Sequence, residues 1–192
     1  MINEYLIFNM LLILLTILDS LFASIGQKVF QTDFVITIAE ETTQPLNLPG
    51  TITMQGQQFV GTLFGMEMAY DGETMYVYDA ETDELTLTKP QQEELTDLNP
   101  LLYAQTLVEA SNLTQRDSKD GESVYITLTP KDQSKGLLRF VLKLRKADSM
   151  PLSVEMKEAK KTTTLNLKNP HYLDVAPPFL LDKPGAFLND LR

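Results

Sequence analysis

Residues 50–88 of this chain read GTITMQGQQFVGTLFGMEMAYDGETMYVYDAETDELTLT, and apolar side chains alternate with polar ones through much of this stretch. Ile52 and Met54 share one face of a strand, whereas the threonines beside them share the other. A period of two is typical of a strand with one buried face. The Asp-Gly dipeptide at 71–72 is a strong turn signal between two such runs. The stretch therefore predicts an antiparallel meander of short strands with one apolar face.

The same alternation occurs on both sides of this meander. Phe34, Ile36 and Ile38 share one face of an earlier strand, which starts after about residue 32. Sequential strands with tight turns pair as antiparallel neighbours, and their common apolar face must be covered. More strands are predicted downstream, at residues 112–117, 123–129, 136–146, 154–156 and 165–167.

A mid-chain segment has a helical period and separates the two runs of strands. Residues 91–98 predict a short helix with an acidic first turn. Asn99 and Pro100 suit the N-cap and the first position of a second helix, whose apolar face includes Leu101 and Leu102. We expect these helices to lie over the apolar face of the sheet.

The N-terminal residues 1–16 contain an apolar run that is shorter than the roughly 20 residues of a membrane-spanning helix. The run suits the apolar region of a signal peptide, although the segment contains Glu4 and neither Lys nor Arg. The alternative is the first turns of an amphipathic helix, since apolar residues recur with helical spacing from Ile17 to about Val29. We predict an export segment at 1–16 and a single domain at 17–192.

Composition excludes several classes of partner and site. The 192 residues include 16 Lys and Arg against 26 Asp and Glu, which gives a formal net charge of −10. Nucleic acids and anionic membrane surfaces attract clustered basic residues, so neither is predicted as a partner. The chain has no cysteine, which rules out disulfides and thiolate metal sites. We expect a monomer.

Residue types that carry catalysis are scarce. His171 is the sole histidine and follows Pro170, a position typical of a surface loop. Acidic pairs such as Glu93 and Glu94 could serve glycoside hydrolysis, but they lie in predicted turns or helix starts, where a solvated surface is the usual role. The sequence therefore predicts no enzyme, metal site or cofactor.

Methionines cluster on the first run of strands, with Met54, Met66 and Met68 among them. Flexible methionine side chains suit a surface that adapts to several apolar guests, and an ordinary core is the alternative. A curved sheet under few helices either packs solid or leaves a cavity. If a cavity exists, its predicted lining is Phe34, Ile36, Ile52, Met54, Phe59, Met66, Met68, Tyr76, Tyr78, Leu101 and Leu102.

The hairpin YDGETMYVYD at 70–79 carries a family resemblance. Together with GTITM at 50–54, LTPK at 128–131 and the ending DLR at 190–192, it resembles the outer-membrane lipoprotein carrier family of LolA-like proteins. The segment 93–102 resembles Bacteroides-type members of that family.

The resemblance extends from about residue 17 to the end of the chain. It implies an α+β fold, mainly antiparallel β, in which a half-open β-barrel has helices covering its concave face. It also implies a periplasmic, non-enzymatic carrier, secreted across the inner membrane, that receives the acyl chains of lipoproteins from an inner-membrane transporter and passes them to an outer-membrane acceptor. A lipid- or lipoprotein-sensing module of the same fold is the alternative.

One departure from the family pattern concerns the cover of the barrel. Well-known members have an Arg-Pro pair shortly after the second strand, and this arginine closes the helical lid. The matching place here reads QGQQ at 55–58. The resemblance therefore implies that other groups hold the lid in this chain.

Overall fold

The computed structural model describes residues 18, 21, 23, 24, 26–91, 94, 95, 100–134 and 136–192. Within them, one twelve-stranded sheet is accompanied by helix α1 (Pro100–Leu107) and by helical backbone at the described residues between 18 and 27. The strands are β1 (Val29–Glu40), β2 (Leu46–Gln55), β3 (Gln58–Leu63), β4 (Met66–Tyr70), β5 (Met75–Asp79), β6 (Glu84–Thr88), β7 (Ser111–Asp117), β8 (Ser123–Pro130), β9 (Leu137–Arg145), β10 (Pro151–Glu158), β11 (Lys161–Leu173) and β12 (Phe187–Asp190).

Two meanders form this sheet, and they meet where β1 pairs with β11. The strand order is β12-β6-β5-β4-β3-β2-β1-β11-β10-β9-β8-β7. All neighbours are antiparallel except β12, which pairs with β6 in parallel. In the described chain β12 and β7 end the sheet without pairing with each other, so the predicted open antiparallel sheet is confirmed.

The register assigns each strand a face. Phe34 of β1 lies opposite Gly50 of β2 and Leu167 of β11, and Gly50 lies opposite Leu63 of β3. Directly opposite residues in an antiparallel pair point to the same side of a sheet. We call the side that carries Phe34 the inner face and the other side the outer face.

The inner face of β8 to β10 is deeply buried. Phe140, Leu142 and Leu144 alternate along β9 and have no exposed surface. They share one core cluster with Leu18 of the N-terminal helical residues and Ala104 of α1. This half of the inner face therefore belongs to the main hydrophobic core.

The prediction of a helical segment from Ile17 to about Val29 was wrong at the C-terminal end of that segment. Helical backbone is last seen at Gln27, and Val29 begins β1. Val29 and Phe30 pair with the end of β11, so ladder hydrogen bonds replace the helical period there. The start of α1 at Pro100 and the predicted strands are confirmed. The predicted export segment 1–16 and most of the helix 91–98 lie outside the described residues.

The C-terminal segment crosses the outer face of β4 to β6. Leu181 is buried in one cluster with Ala69 and Leu85. Lys183 Nζ lies 2.5 Å from Glu67 Oε1, and the segment ends as β12 beside β6. The C-terminal segment therefore covers side chains on the outer face of these strands.

Candidate functional site

A cavity of about 300 Å³ opens on the inner face of the central strands. Its walls come from β1 to β4, β10, β11 and the β3–β4 turn. Apart from Gly61, the lining is apolar or threonine, with Thr32, Thr51, Thr62 and Thr163 as its polar members. The volume is at the lower end of the usual range for a small-molecule pocket, roughly 300–1,000 Å³. The arrangement suits an uncharged, apolar guest.

The structure brings six of the eleven predicted lining residues to this cavity: Phe34, Ile36, Ile52, Met54, Phe59 and Met68. All six lie on the inner face, as the alternation in the sequence predicts. Contact of these residues with a guest stays a prediction.

Tyr76 and Tyr78 lie away from the cavity, which differs from the predicted lining. In β5 it is Met75 and Val77 that share the inner face, because Met75 lies opposite Tyr70 and Val77 opposite Met68. The two tyrosines therefore point to the outer face, under the C-terminal segment. A shift of one residue exchanges the two faces of a strand, and β5 is apolar on both.

Of the remaining three predicted residues, one lies outside the cavity wall and two have side chains outside the described part of the chain. Met66 is half-buried on the inner face opposite Leu63, but the cavity wall ends at Leu63 on this row. Leu101 and Leu102 have helical backbone in α1, and their side chains lie outside the described part of the chain.

Several lining residues were missed, chiefly on β11. Leu165 and Leu167 face the cavity because β11 pairs with β1, and Thr32 Oγ1 donates a 3.0 Å hydrogen bond to the Lys168 carbonyl across that pair. The sequence of β11 shows the alternation of a strand, but it does not show which strand is its partner. The two residues joined by this hydrogen bond are 136 positions apart in the chain. Other missed lining residues are Phe30, Ile38, Leu63, Phe64 and Met156.

The cavity is accessible from solvent at the ends of the long central strands. Ile36 and Ile38 are only half-buried, and Phe64 in the β3–β4 turn is 55% exposed although it lines the cavity. Leu46, which lies opposite Ile38, is 53% exposed. An apolar guest can therefore enter from this end.

Two glycines let the strands approach closely at the cavity. A Cβ atom on Gly50 would collide with the Phe34 ring, which lies over this glycine. A Cβ atom on Gly61 would collide with the Thr51 carbonyl oxygen and lie 3.0 Å from the Ile52 Cα. Glycine inside a strand typically marks such a close backbone approach.

We predict that Gly61→Ala lowers the free energy of unfolding by about 1–3 kcal/mol, the usual cost of overpacking a rigid site. The atoms in the way belong to the backbone, so β2 and β3 must separate and the cavity must change shape. Urea unfolding measures the change. Gly26→Ala is the control, because nothing lies within 4 Å of a Cβ there. Equal midpoints for Gly61→Ala and the wild type would contradict the prediction.

The hairpin at 70–79 owes its form to Asp71. Asp71 Oδ1 accepts hydrogen bonds from the backbone N–H groups of Glu73 and Thr74, at 2.9 and 2.8 Å. The Tyr76 hydroxyl donates to Asp71 Oδ2 at 2.9 Å. Burial raises the pKa of Asp71, but these hydrogen bonds outweigh it and hold the pKa below its ordinary value. Tyr76 therefore stabilises a turn.

We predict that Asp71→Asn lowers stability at pH 7 by roughly 1 kcal/mol, the typical worth of a hydrogen bond. Because the pKa of Asp71 in the folded state lies below 3.8, the ionised group stabilises the fold above that pH. The contribution is lost as the pH falls through the folded-state pKa. Urea unfolding at pH 7 and near pH 2 should show a larger difference between the variant and the wild type at pH 7. Asp174→Asn, at an exposed position, is the control.

The β2–β3 turn carries glutamines at the place where the resemblance implies a lid-closing arginine. Gln55 Nε2 donates a 2.9 Å hydrogen bond to the carbonyl oxygen of Gln27, the last residue with helical backbone before β1. Gln58 Nε2 donates to the Asp71 carbonyl oxygen. Gln55 thus ties the N-terminal helical residues to the sheet, whereas Gln58 ties β3 to the β4–β5 turn.

Two other kinds of site are not found in the described part of the chain. Among those residues, no group of three or more His, Asp or Glu side chains is arranged to hold a metal ion. No helix within the described ranges has the length and apolarity that a membrane crossing requires.

Comparison with solved structures gives the fold. An uncharacterized conserved protein from Thermus thermophilus matches with a TM-score of 0.62 and 13% identity, over 91% of this chain and 97% of that one. A LolA superfamily protein from Nitrosomonas europaea has a TM-score of 0.44 and 13% identity over 84% and 94% of the two chains. LprF from Mycobacterium bovis has a TM-score of 0.49 and 16% identity over 84% and 93%. The Thermus protein shares the open antiparallel sheet.

Comparison by sequence gives the family. No curated protein matches this chain. A family model, described as outer membrane lipoprotein carrier protein LolA, matches residues 65–177, which is more than half of the chain. That range contains the Asp71 hairpin, α1 and all of β11, and it carries the cavity residues from Met68 to Leu167. The chain therefore belongs to the outer membrane lipoprotein carrier (LolA) family.

Proposed function

We propose that this protein is a carrier that binds the acyl chains of lipoproteins in its inner-face cavity and delivers them toward the outer membrane. The single observation that carries the proposal is the cavity of about 300 Å³ whose polar lining consists of threonines. The role is binding rather than catalysis, and it needs no cofactor.

The chemistry of an acyl chain fits this lining. Each methylene group moved from water into an apolar site contributes about 0.8 kcal/mol. A chain of methylenes forms no hydrogen bonds. A threonine hydroxyl that is already bonded to the backbone therefore loses no hydrogen bond when the chain binds. Thr32 illustrates this, since its hydroxyl already donates to the Lys168 carbonyl.

Release requires a cover that moves. We propose that the N-terminal helical residues and α1 form this cover over the inner face, with Leu101 and Leu102 facing the guest. In the described chain, core packing of Leu18 and Leu21 and the hydrogen bonds Gln55–Gln27 and Tyr172–Ser24 hold this cover on the sheet, so a guest must replace these contacts to move it.

Membership of the family supports the proposed location and partners. We place the protein in the periplasm, exported by its first 16 residues, and take an inner-membrane transporter as donor and an outer-membrane protein as acceptor. We also propose that the chain is related to Bacteroides-type members, that residues 17–192 form a single domain and that the protein is a monomer.

Native mass spectrometry after mild purification tests the proposal. We expect an added mass equal to a lipid or an acylated peptide, and saturable uptake of a fluorescent fatty-acyl probe that palmitate displaces. A clean mass of the free chain together with no uptake of the probe would overturn the proposal.

A transfer assay distinguishes a carrier from a sensing module of the same fold. The loaded protein is mixed with vesicles of outer-membrane lipids that contain acceptor protein, and probe fluorescence reports release. A carrier loses its probe faster with acceptor present than with bare vesicles. A protein that keeps its guest under both conditions is not a carrier.

A further inference from the structure

The β3–β4 turn has an unusual residue in a demanding position. Leu63 pairs with Met66, so Phe64 and Gly65 alone form the loop. Their φ angles are 56° and 80°, both in the left-handed region. A two-residue hairpin loop with positive φ at both positions is a type I′ turn, for which Asn-Gly is strongly preferred.

Phenylalanine is poorly suited to this conformation. A bulky residue with positive φ is an outlier, because its Cβ crowds the backbone. The other non-glycine residues with positive φ in the described chain are Asp83, Ser149 and Asn169, which are all short and polar. Phe64 is therefore the exception among them.

Burial does not explain the choice of Phe64. Its side chain is 55% exposed, whereas phenylalanines of the core, such as Phe30 and Phe140, are at most 1% exposed. The same side chain lines the cavity, at the end where Ile36 and Ile38 are also partly open to solvent. A strained backbone at a rim position is typical of a residue kept for function.

We propose that Phe64 is a guest-retention residue, whose ring lies against the apolar chain of the bound molecule and slows its escape. This inference rests on the proposed function of the cavity. The contact is with methylene groups rather than with a charged headgroup, because no Lys, Arg, Asp or Glu lines the described cavity.

The test is Phe64→Asn, which restores the preferred Asn-Gly turn while removing the ring. If Phe64 is needed for the fold, Phe64→Asn should be less stable than the wild type. If Phe64 serves binding, the variant should be equally stable or more stable. We expect the dissociation rate of a fluorescent fatty-acyl probe to rise about tenfold, the loss of one aromatic contact. We expect the urea midpoint to stay level or to rise.

Phe187→Asn is the matched control, because Phe187 is 69% exposed on β12, away from the cavity walls. It makes the same chemical change and should leave probe dissociation unchanged. Phe64→Leu, which keeps an apolar side chain, should show an intermediate rate.

Three results would overturn the inference. Wild-type dissociation kinetics in Phe64→Asn would show that the ring does not hold the guest. A lower urea midpoint would show that the phenylalanine is structural. Equal acceleration by Phe187→Asn would show an effect unrelated to the cavity. If the wild type takes up no probe at all, the proposed function fails first, and the retention role fails with it.

Discussion

Ile36→Asp is expected to abolish uptake of a fatty-acyl probe while the protein stays folded. Ile36 lines the cavity on the central strand β1 and is only half-buried. In the free protein the new carboxylate can reach water through the open end of the cavity. A bound acyl chain would remove that water, and burying an unpaired charge is very unfavourable. We expect affinity to fall by about 100-fold or more, which corresponds to about 3 kcal/mol.

Val35→Asp is the matched control for this substitution. Val35 is the neighbour of Ile36 on β1 and is half-buried, but it points to the outer face. Circular dichroism and urea unfolding of both variants report the fold, and probe titration reports binding. Uptake by Ile36→Asp at wild-type affinity would place the guest elsewhere. Loss of uptake in both variants would show that damage to β1, rather than to the cavity, is the cause.

Phe140→Ala is expected to lower the free energy of unfolding by about 3–5 kcal/mol, the range found for fully buried phenylalanines. Phe140 has no exposed surface, and its ring meets Tyr103 edge-on at 6.2 Å between centroids. Removal of the ring leaves a void between β9 and α1 and deprives Tyr103 of its ring contact. Domains are stable by only about 5–15 kcal/mol in total, so this single change removes a large part.

Urea unfolding followed by circular dichroism measures the effect of Phe140→Ala. Phe187→Ala is the control, because an exposed side chain on an edge strand should change stability by less than about 0.5 kcal/mol. A loss below about 1 kcal/mol for Phe140→Ala would mean that this side chain contributes little to the core. Comparison of Phe140→Ala with Ile36→Asp separates the two halves of the inner face, because we expect the first to lower stability and the second to lower probe affinity.

Much of the inner face was predictable because it follows from alternation within single strands. Phe34, Ile36, Ile52, Met54 and Met68 were assigned from a period of two, and all of them line the cavity. Tyr76 and Tyr78 show the limit of that reasoning. Their strand is apolar on both faces, so its orientation depends on the partner register, in which Met75 and Val77 face inward.

The residues contributed by β11 show a second limit. Leu165 and Leu167 reach the cavity only because β11 pairs with β1 across most of the length of the chain. No short-range pattern specifies such a pairing. It forms because each strand buries an apolar face when the two meanders join.

Side chains a few residues apart were enough to specify the strands, their tight turns and the start of α1, and the same local motifs carried the family resemblance. The pairing of β1 with β11, the outward direction of Tyr76 and the left-handed turn at Phe64 beside a cavity became visible only in the folded chain. A cavity is the space that distant elements leave unfilled. Its existence therefore depends on how the two joined meanders curve in space, which no local pattern encodes.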